Sequence, residues 1–225
     1  MARWGRRATR RLRRRSEGGA LRRRWRLDVV KTRAGAESIR NWRIDRRYGG
    51  WCGGTIASRY IAAGSYGTSS VDYWQLRRIF CAANGLEIKP REKLVDVGCG
   101  KGRVLNYWLS LGLANPIVGL ELDSQFAYFA RRRLARHANV EVLTGDAIEL
   151  LPADASIMFV FNPFAEPVVA RLRNRIAELY PAGARLRIVY YFPMHRDVFD
   201  GDPRFEVTPL ARKAFHPGVV VRRVA

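Results

Sequence analysis

From residue 93 onward the chain is punctuated by short, mainly apolar runs: Lys93 to Val97, Pro116 to Leu120, Val140 to Leu143, one closing at Phe159-Val160-Phe161, and Arg185 to Phe192. Runs that are apolar at most consecutive positions, with no sustained alternation, predict parallel strands covered on both faces. Helical stretches alternate with them, Gly102 to Leu111 and Glu166 to Tyr180, the second stopped by Pro181-Ala182-Gly183. Upstream, a helix is expected over Val71 to Asn84, with Ser70 as N-cap and Val71, Trp74 and Ile79 among its apolar positions. Phe205 to Leu210 and Gly218 to Val224 follow each other without a helix, which predicts a hairpin at a sheet edge. Strands alternating with helices make the fold class α/β, a doubly wound, mostly parallel sheet.

The first of these strands runs into Gly98-Cys99-Gly100-Lys101-Gly102 and then into a helix. Glycines there let the backbone bend sharply and come close to a ligand. The helix that follows points unsatisfied N–H groups into the turn, so a ligand with acceptor atoms belongs in it. The spacing is not the G-x-G-x-x-G of dinucleotide sites, and Asp96, two residues before the first glycine, would repel a pyrophosphate and pair with an ammonium. Glu121 stands at the end of the next strand, where an acid chelates two vicinal ribose hydroxyls. The expected ligand is a nucleoside with a cationic, amino-acid-like tail. Two further positions have a plain structural reading beside a functional one. Asp146 reads as the N-cap of a helix beginning at Ala147, and Asn162, before Pro163, as a helix entrance.

Four segments in order resemble those of class I S-adenosylmethionine-dependent methyltransferases. They are Asp96-Val97-Gly98-Cys99-Gly100-Lys101-Gly102-Arg103, then Val118-Gly119-Leu120-Glu121-Leu122-Asp123, then Thr144-Gly145-Asp146-Ala147, then Phe159-Val160-Phe161-Asn162-Pro163-Phe164. The resemblance spans about residues 66 to 192. It implies a seven-stranded sheet with an antiparallel last strand and S-adenosyl-L-methionine as cofactor. Asp96 would orient the methionine amine, and the Gly98, Cys99, Gly100 and Gly102 backbone would pack against the carboxypropyl chain and ribose. Glu121 would hold the ribose diol, Leu122 would cover an adenine face, Asp146 would accept from the adenine amino group, and Ala147 would offer a backbone N–H. Asn162, Pro163 and Phe164 would sit beside the reactive methyl as a variant of the Asn-Pro-Pro-Tyr type motif, which holds a planar NH₂ nucleophile. One proline replaces two, so a nitrogen acceptor is favoured without its identity being fixed. Tyr66 and Tyr73 are candidates for the acceptor pocket, with Tyr73 reading first as an ordinary packed residue.

Charge changes the picture of the partner. The formal balance is +21, and the first 26 residues hold 12 arginines against the single acid Glu17. The remainder keeps 29 basic against 19 acidic residues, a balance of +10. The chain therefore divides into an Arg-rich arm over residues 1–26, expected to be disordered, a connector or lid over residues 27–65, and the cofactor-binding domain over residues 66–225. Such an arm binds phosphate polyanions through counterion release. An Arg-rich transit peptide and a translation start set too far upstream explain the same composition, 36 of the 41 basic residues being Arg.

No run of 18 apolar residues is present, so no transmembrane segment is expected. Cys52, Cys81 and Cys99 have no metal or disulfide spacing, and His137, His195 and His216 are scattered. No metal, a reducing cytoplasmic location and a monomeric state are the expectations. The sequence thus reads as a methyltransferase acting on nitrogen, with a protein or nucleic-acid acceptor favoured over a small molecule. The alternative is a non-catalytic nucleic-acid-binding protein that keeps the fold. A nicotinamide-dependent redox enzyme is disfavoured by the glycine spacing.

Overall fold

The computed structural model describes residues 35–56, 59–60, 64–65, 67–212 and 214–225; the arm of residues 1–26 and Tyr66 lie outside them. Contacts divide the chain into residues 1–41 and 42–225. In the first unit, residues 35–41 are helical and carry an exposed Glu37–Arg40 ion pair at 2.8 Å. The helix, α1, ends at residue 47, and everything below concerns the second unit.

Seven strands form one sheet: β3 (Leu94–Val97), β4 (Ile117–Glu121), β5 (Val140–Thr144), β6 (Ile157–Phe161), β7 (Arg187–Tyr191), β8 (Phe205–Pro209) and β9 (Gly218–Arg223). Their order is β5-β4-β3-β6-β7-β9-β8. β3 to β7 pair in parallel, and β9 runs antiparallel to both β7 and β8. This is the seven-stranded sheet with an antiparallel last strand that the resemblance implies, with the expected hairpin at its edge. A separate two-stranded ribbon joins β1 (Thr55–Ile56) to β2 (Thr68–Ser69). Every residue of β3 and β4 is buried, whereas only Val142 is buried in β5 and Phe205 in β8. The continuous apolar runs mark the central strands, and the two edge strands, each with one partner, tolerate polar side chains.

Strand alternation divides the core. Leu94, Ile157, Phe159 and Val189 face the layer holding Leu76, Leu105 and Trp108, while Val95, Val97, Met158 and Val160 face Leu172 and Ile176. The helices are α2 (Tyr73–Ile79), α3 (Arg103–Ser110), α4 (Ser124–Leu134), α5 (Glu166–Leu179) and α6 (Asp197–Asp200). Asp123 caps α4 by accepting from Gln125 N at 2.8 Å and Phe126 N at 3.4 Å.

Four local expectations are corrected. α2 spans seven residues and is not continuous to Asn84. Asn84 donates its amide to the Arg78 and Ile79 carbonyls, both at 2.9 Å, and Gly85 turns left-handed at φ +64°, so the chain closes in a 3-10 turn over Ala82–Asn84. Ser70 is not its cap, since its hydroxyl donates to the Cys52 carbonyl and Asp72 holds the N-cap position. Residues 147–150 make one turn and no helix, and α5 starts at Glu166, so Asn162 is no helix entrance.

Candidate functional site

The parallel strands align so that Val97, Glu121, Thr144 and Phe161 end along one edge of the sheet. β3 lies at the point where strand order reverses, with β4 and β5 on one side and β6 and β7 on the other. In open α/β sheets the ligand crevice forms outside the strand ends at this position. A cavity of about 280 Å³ is found there, lined by Asp96, Gly98, Cys99, Glu121, Leu122, Asp146, Ala147, Phe159, Phe161, Pro163 and Phe164, and closed by Ser65, Gly67, Ser69, Ser70, Val71, Lys101 and Arg103.

Backbone conformation opens the cavity. Gly98 has φ +79°, and a Cβ at that position would meet Pro163 Cβ at 3.0 Å, so the turn after β3 and the loop after β6 approach as closely as they do only because residue 98 has no side chain. Gly102, at φ +82°, is the N-cap residue of α3 and turns the chain from the loop into the helix.

Two carboxylates share the buried floor. Glu121 is tied down on both oxygens: Oε2 accepts from Gly100 N at 2.7 Å and Oε1 from Asp123 N at 2.8 Å. Each carboxylate oxygen keeps a further lone pair, so the group remains able to accept from a pair of hydroxyls. Burial raises its pKa, against the lowering effect of these N–H groups. Asp96 is 3% exposed and its Oδ2 has no hydrogen-bond partner among the described residues. Burial, helped by the charge of Glu121, pushes its pKa well above the usual carboxylate range. A buried acceptor without a donor, beside a second acid, is a place where a cation gains both a hydrogen bond and two negative charges. The cationic amino-acid tail of S-adenosylmethionine fits that demand and its ribose fits Glu121.

The rest of the predicted set divides. Cys99 is buried, and its thiol is pushed well up by burial and by Asp96 and Glu121, which leaves it a small, inert wall residue. Asp146 accepts from Ile148 N at 2.9 Å and pairs with Arg171 at 3.2 Å, both side chains being about half exposed. Gly100 and Gly102 shape the turn without facing the cavity, and so does Asn162. Asn162 adopts φ +38°, and its Oδ1 accepts from the Tyr190 hydroxyl at 3.4 Å. Pro163 and Phe164, which follow, face inward. Tyr73 does not line the cavity either; it is 2% exposed and donates to Asp45 Oδ1 at 2.7 Å.

That hydrogen bond belongs to a buried cluster that sequence reading missed. Asp45, fully buried at the end of α1, accepts from Arg103 Nη2 at 2.6 Å, from Tyr73, and from Cys52 N at 3.0 Å. Arg103 lies between Trp51, 5.0 Å to the ring centroid, and Tyr73 at 5.7 Å, and its Nη1 approaches Asp72 at 3.7 Å. Asn106 donates to the Tyr73 hydroxyl and accepts from Arg133, which also donates to the Lys101 carbonyl in the cofactor turn. Asp45 stands 58 residues before Arg103, outside every motif. The only sign in the sequence is an acid at an otherwise apolar helical position, flanked by Ile44 and Tyr48.

Residues 64 and 65 are fastened to the other wall. Ala165 N donates to the Gly64 carbonyl at 2.8 Å, and Ser65 forms an antiparallel bridge with Phe164. No group of His, Cys, Asp and Glu suited to a metal ion occurs among the described residues, and none of their helices is long and apolar enough to cross a membrane.

Residues 94–182 match the family described as a methyltransferase domain. No curated protein matches the sequence significantly. Among solved structures, TrmN from Thermus thermophilus is 15% identical with a TM-score of 0.52, over 68% of this chain and 49% of that one. The SAH-bound Podospora anserina methyltransferase PaMTH1 is 18% identical with a TM-score of 0.52, over 69% of this chain and 80% of that one. Cofactor-bound Rv0187 from MTB is 18% identical with a TM-score of 0.52, over 68% and 80%. The chain thus spans about half the length of the first and four fifths of the other two, and likeness at these identities establishes the fold.

Proposed function

We propose that this chain, whose residues 94–182 match a methyltransferase domain, is a class I S-adenosylmethionine-dependent methyltransferase that transfers a methyl group to a nitrogen on a protein or nucleic acid. The observation that carries the cofactor assignment is the unpartnered Oδ2 of Asp96 in the cavity floor, one strand away from the backbone-anchored Glu121. Asp96 takes the ammonium of the amino-acid tail. Glu121 takes the ribose diol, Leu122 covers the adenine, and Asp146 and Ala147 face its polar edge. Gly98 lets the backbone lie against the tail, and Gly100 steadies Glu121 through its N–H.

When bound, the cofactor supplies an electrophilic methyl on a sulfonium, and displacement there is in line and needs no acid for the leaving group. The protein's task is to hold the acceptor lone pair on the line of attack, and such positioning removes up to ~7–11 kcal/mol of a barrier in favourable cases. Pro163 and Phe164 form the wall where the acceptor rests. Phe164 offers a face to a planar amine or a cationic product. Asn162 does not face the cavity; from a left-handed backbone of the kind that clusters at functional sites, with its Oδ1 accepting from Tyr190, it sets the direction in which Pro163 and Phe164 meet the acceptor. The preference for nitrogen rests on this Asn-Pro-Phe turn, and the preference for a macromolecule on the basic body of the chain.

Calorimetric titration with S-adenosylmethionine, with NADH as control, is the first test. Saturable binding of the sulfonium compound alone supports the reading, and transfer of labelled methyl into RNA, DNA or protein fractions then identifies the acceptor. A folded sample that binds neither would refute it.

A further inference from the structure

The face formed by the end of α1 and the outer side of α4 has a composition unlike an ordinary solvated surface. Residues 42–48 present Arg43, Arg46 and Arg47 outward, and their only acid, Asp45, is buried against Arg103. α4 carries Arg131, Arg132 and Arg133 and no acid at all. The two segments are joined: Arg133 donates to the Tyr48 carbonyl at 2.5 Å and Arg136 to the Arg47 carbonyl at 2.7 Å.

Aromatic rings are set among these cations. Trp42 is 46% exposed with Arg46 over its ring at 5.2 Å, Tyr128 is 59% exposed, and Phe129 is 37% exposed under Arg133 at 5.6 Å. Tyr128, Phe129, Arg132 and Arg133 line a cleft of about 420 Å³ with Gly49. Gly50 continues past Phe129 to the half-exposed Trp51, which stacks on Arg103 at the wall of the cofactor cavity. Exposed rings interleaved with guanidinium groups, on a face without acids, form the combination that single-stranded nucleic acids use: cations follow the phosphates and rings stack on unpaired bases. A membrane-surface helix needs a continuous apolar face instead, and the apolar face of α4, Ala127, Ala130 and Leu134, is turned into the core.

We infer that this face binds single-stranded RNA or DNA and leads it to the cofactor cavity past Trp51. The inference builds on the proposed reaction by choosing nucleic acid over protein as the macromolecule, and it is measurable without turnover. The test uses the full chain with a single-stranded oligonucleotide containing 4-thiouridine. Binding is followed by fluorescence anisotropy at several salt concentrations, and photo-crosslinks are mapped by mass spectrometry. Cross-links in the peptides holding Trp42 and Tyr128 are expected. Trp42→Ala and Tyr128→Ala should each weaken binding about 5- to 150-fold, the loss of one stacked base. Arg132→Glu should flatten the dependence of affinity on salt.

All three side chains are exposed, so cofactor affinity should be unchanged in these variants, and a variant that loses it is replaced by Tyr128→Ser or Arg132→Gln. Cross-links confined to residues 1–26, with wild-type affinity in all variants, would overturn the proposal in favour of the arm. Intact oligonucleotide affinity with lost binding to phosphatidylserine vesicles would overturn it in favour of a lipid surface. Oligonucleotide binding at this face without any S-adenosylmethionine binding would leave the inference standing and remove the methyltransferase reading.

Discussion

Replacing Asp96 by Asn keeps the shape of the side chain and removes its charge, and the structure predicts effects of opposite sign on the free and the bound protein. In the free protein, Asp96 is buried with an unpartnered oxygen, and its folded-state pKa lies above the unfolded value. With that sign, the folded state is unpenalised below the ordinary carboxylate value near ~3.9 and loses stability as pH rises from there through the folded pKa. An unsatisfied buried polar group costs about 1–3 kcal/mol. The Asn amide inherits part of that, so a gain of about 1 kcal/mol is expected, or a Tm increase of about 2–4 °C for a chain of this size. The increase should appear at neutral pH and fade on acidification toward the ordinary carboxylate range.

With cofactor bound, the sign reverses. A hydrogen bond to a charged partner is worth about 1.5–3 kcal/mol, so Asp96→Asn should weaken S-adenosylmethionine about 10- to 150-fold. The wild-type affinity should also rise with pH as Asp96 ionises. 5′-Methylthioadenosine has the nucleoside without the amino-acid tail, and its affinity should be the same in both proteins. Calorimetry with both ligands, and melts without ligand from acid to neutral pH, measure all of this. Equal losses for the two ligands would place Asp96 away from the ammonium. A lower Tm in the ligand-free variant at neutral pH would show that Oδ2 is satisfied after all.

The other acid should behave differently. Glu121→Ala removes the acceptor for Gly100 N and Asp123 N, so it should weaken the cofactor at least tenfold and also lower Tm, where Asp96→Asn raises it. Asp45→Ala leaves Arg103 buried without its partner and should cost about 3–5 kcal/mol in urea unfolding; a loss under about 1 kcal/mol would make the cluster peripheral. Asn162→Ala should lower turnover while cofactor affinity, read by calorimetry, stays within a few-fold. Undiminished activity would reduce Asn162 to a turn residue. A chain lacking residues 1–26 should bind cofactor with unchanged affinity, and a large loss there would make the arm part of the site.

What was legible in the sequence is local in origin. The central strands were legible because parallel strands buried on both faces are apolar at most consecutive positions, their few acids falling near the strand ends, and the edge hairpin because no helix fits between Leu210 and Gly218. Helix ends were less so. Nothing in the order of residues announces that the Asn84 side chain takes the last carbonyls of α2, or that the Ser70 hydroxyl turns to Cys52 instead of the helix. These are contests between near-equal hydrogen bonds, settled by which partner the tertiary fold brings within reach. The cavity floor followed from Asp96 and Glu121 because both sit at strand ends, where register fixes direction. Asn162 lies one residue beyond β6, and there the backbone rotates into the left-handed region and turns the amide toward Tyr190.

The buried Asp45 cluster shows what kind of information no local pattern carries. A carboxylate with no exposed surface, accepting from Arg103, Tyr73 and the Cys52 N–H, is stable only while all three donors are present. Those donors come from α3, α2 and the loop after α1, so none of these segments can move alone without leaving a buried charge unpaired. Arg103 is also the first residue of the helix that follows the cofactor turn, and Arg133 holds the Lys101 carbonyl within that turn. The conformation of residues 98–102 is therefore coupled to residues 45–52, a segment outside the family match over residues 94–182. Cysteine chemistry supports a structural role for this junction: burial pushes the Cys52 thiol up to about 11, so it stays protonated, donating to the Gly50 and Lys101 carbonyls at 3.5 and 3.4 Å. A loosened junction would disturb the cofactor turn through Arg103 and Lys101, although Asp45 itself does not line the cavity. For that reason substitutions at Asp45 should reduce stability and cofactor affinity together, while those at Asp96 separate them.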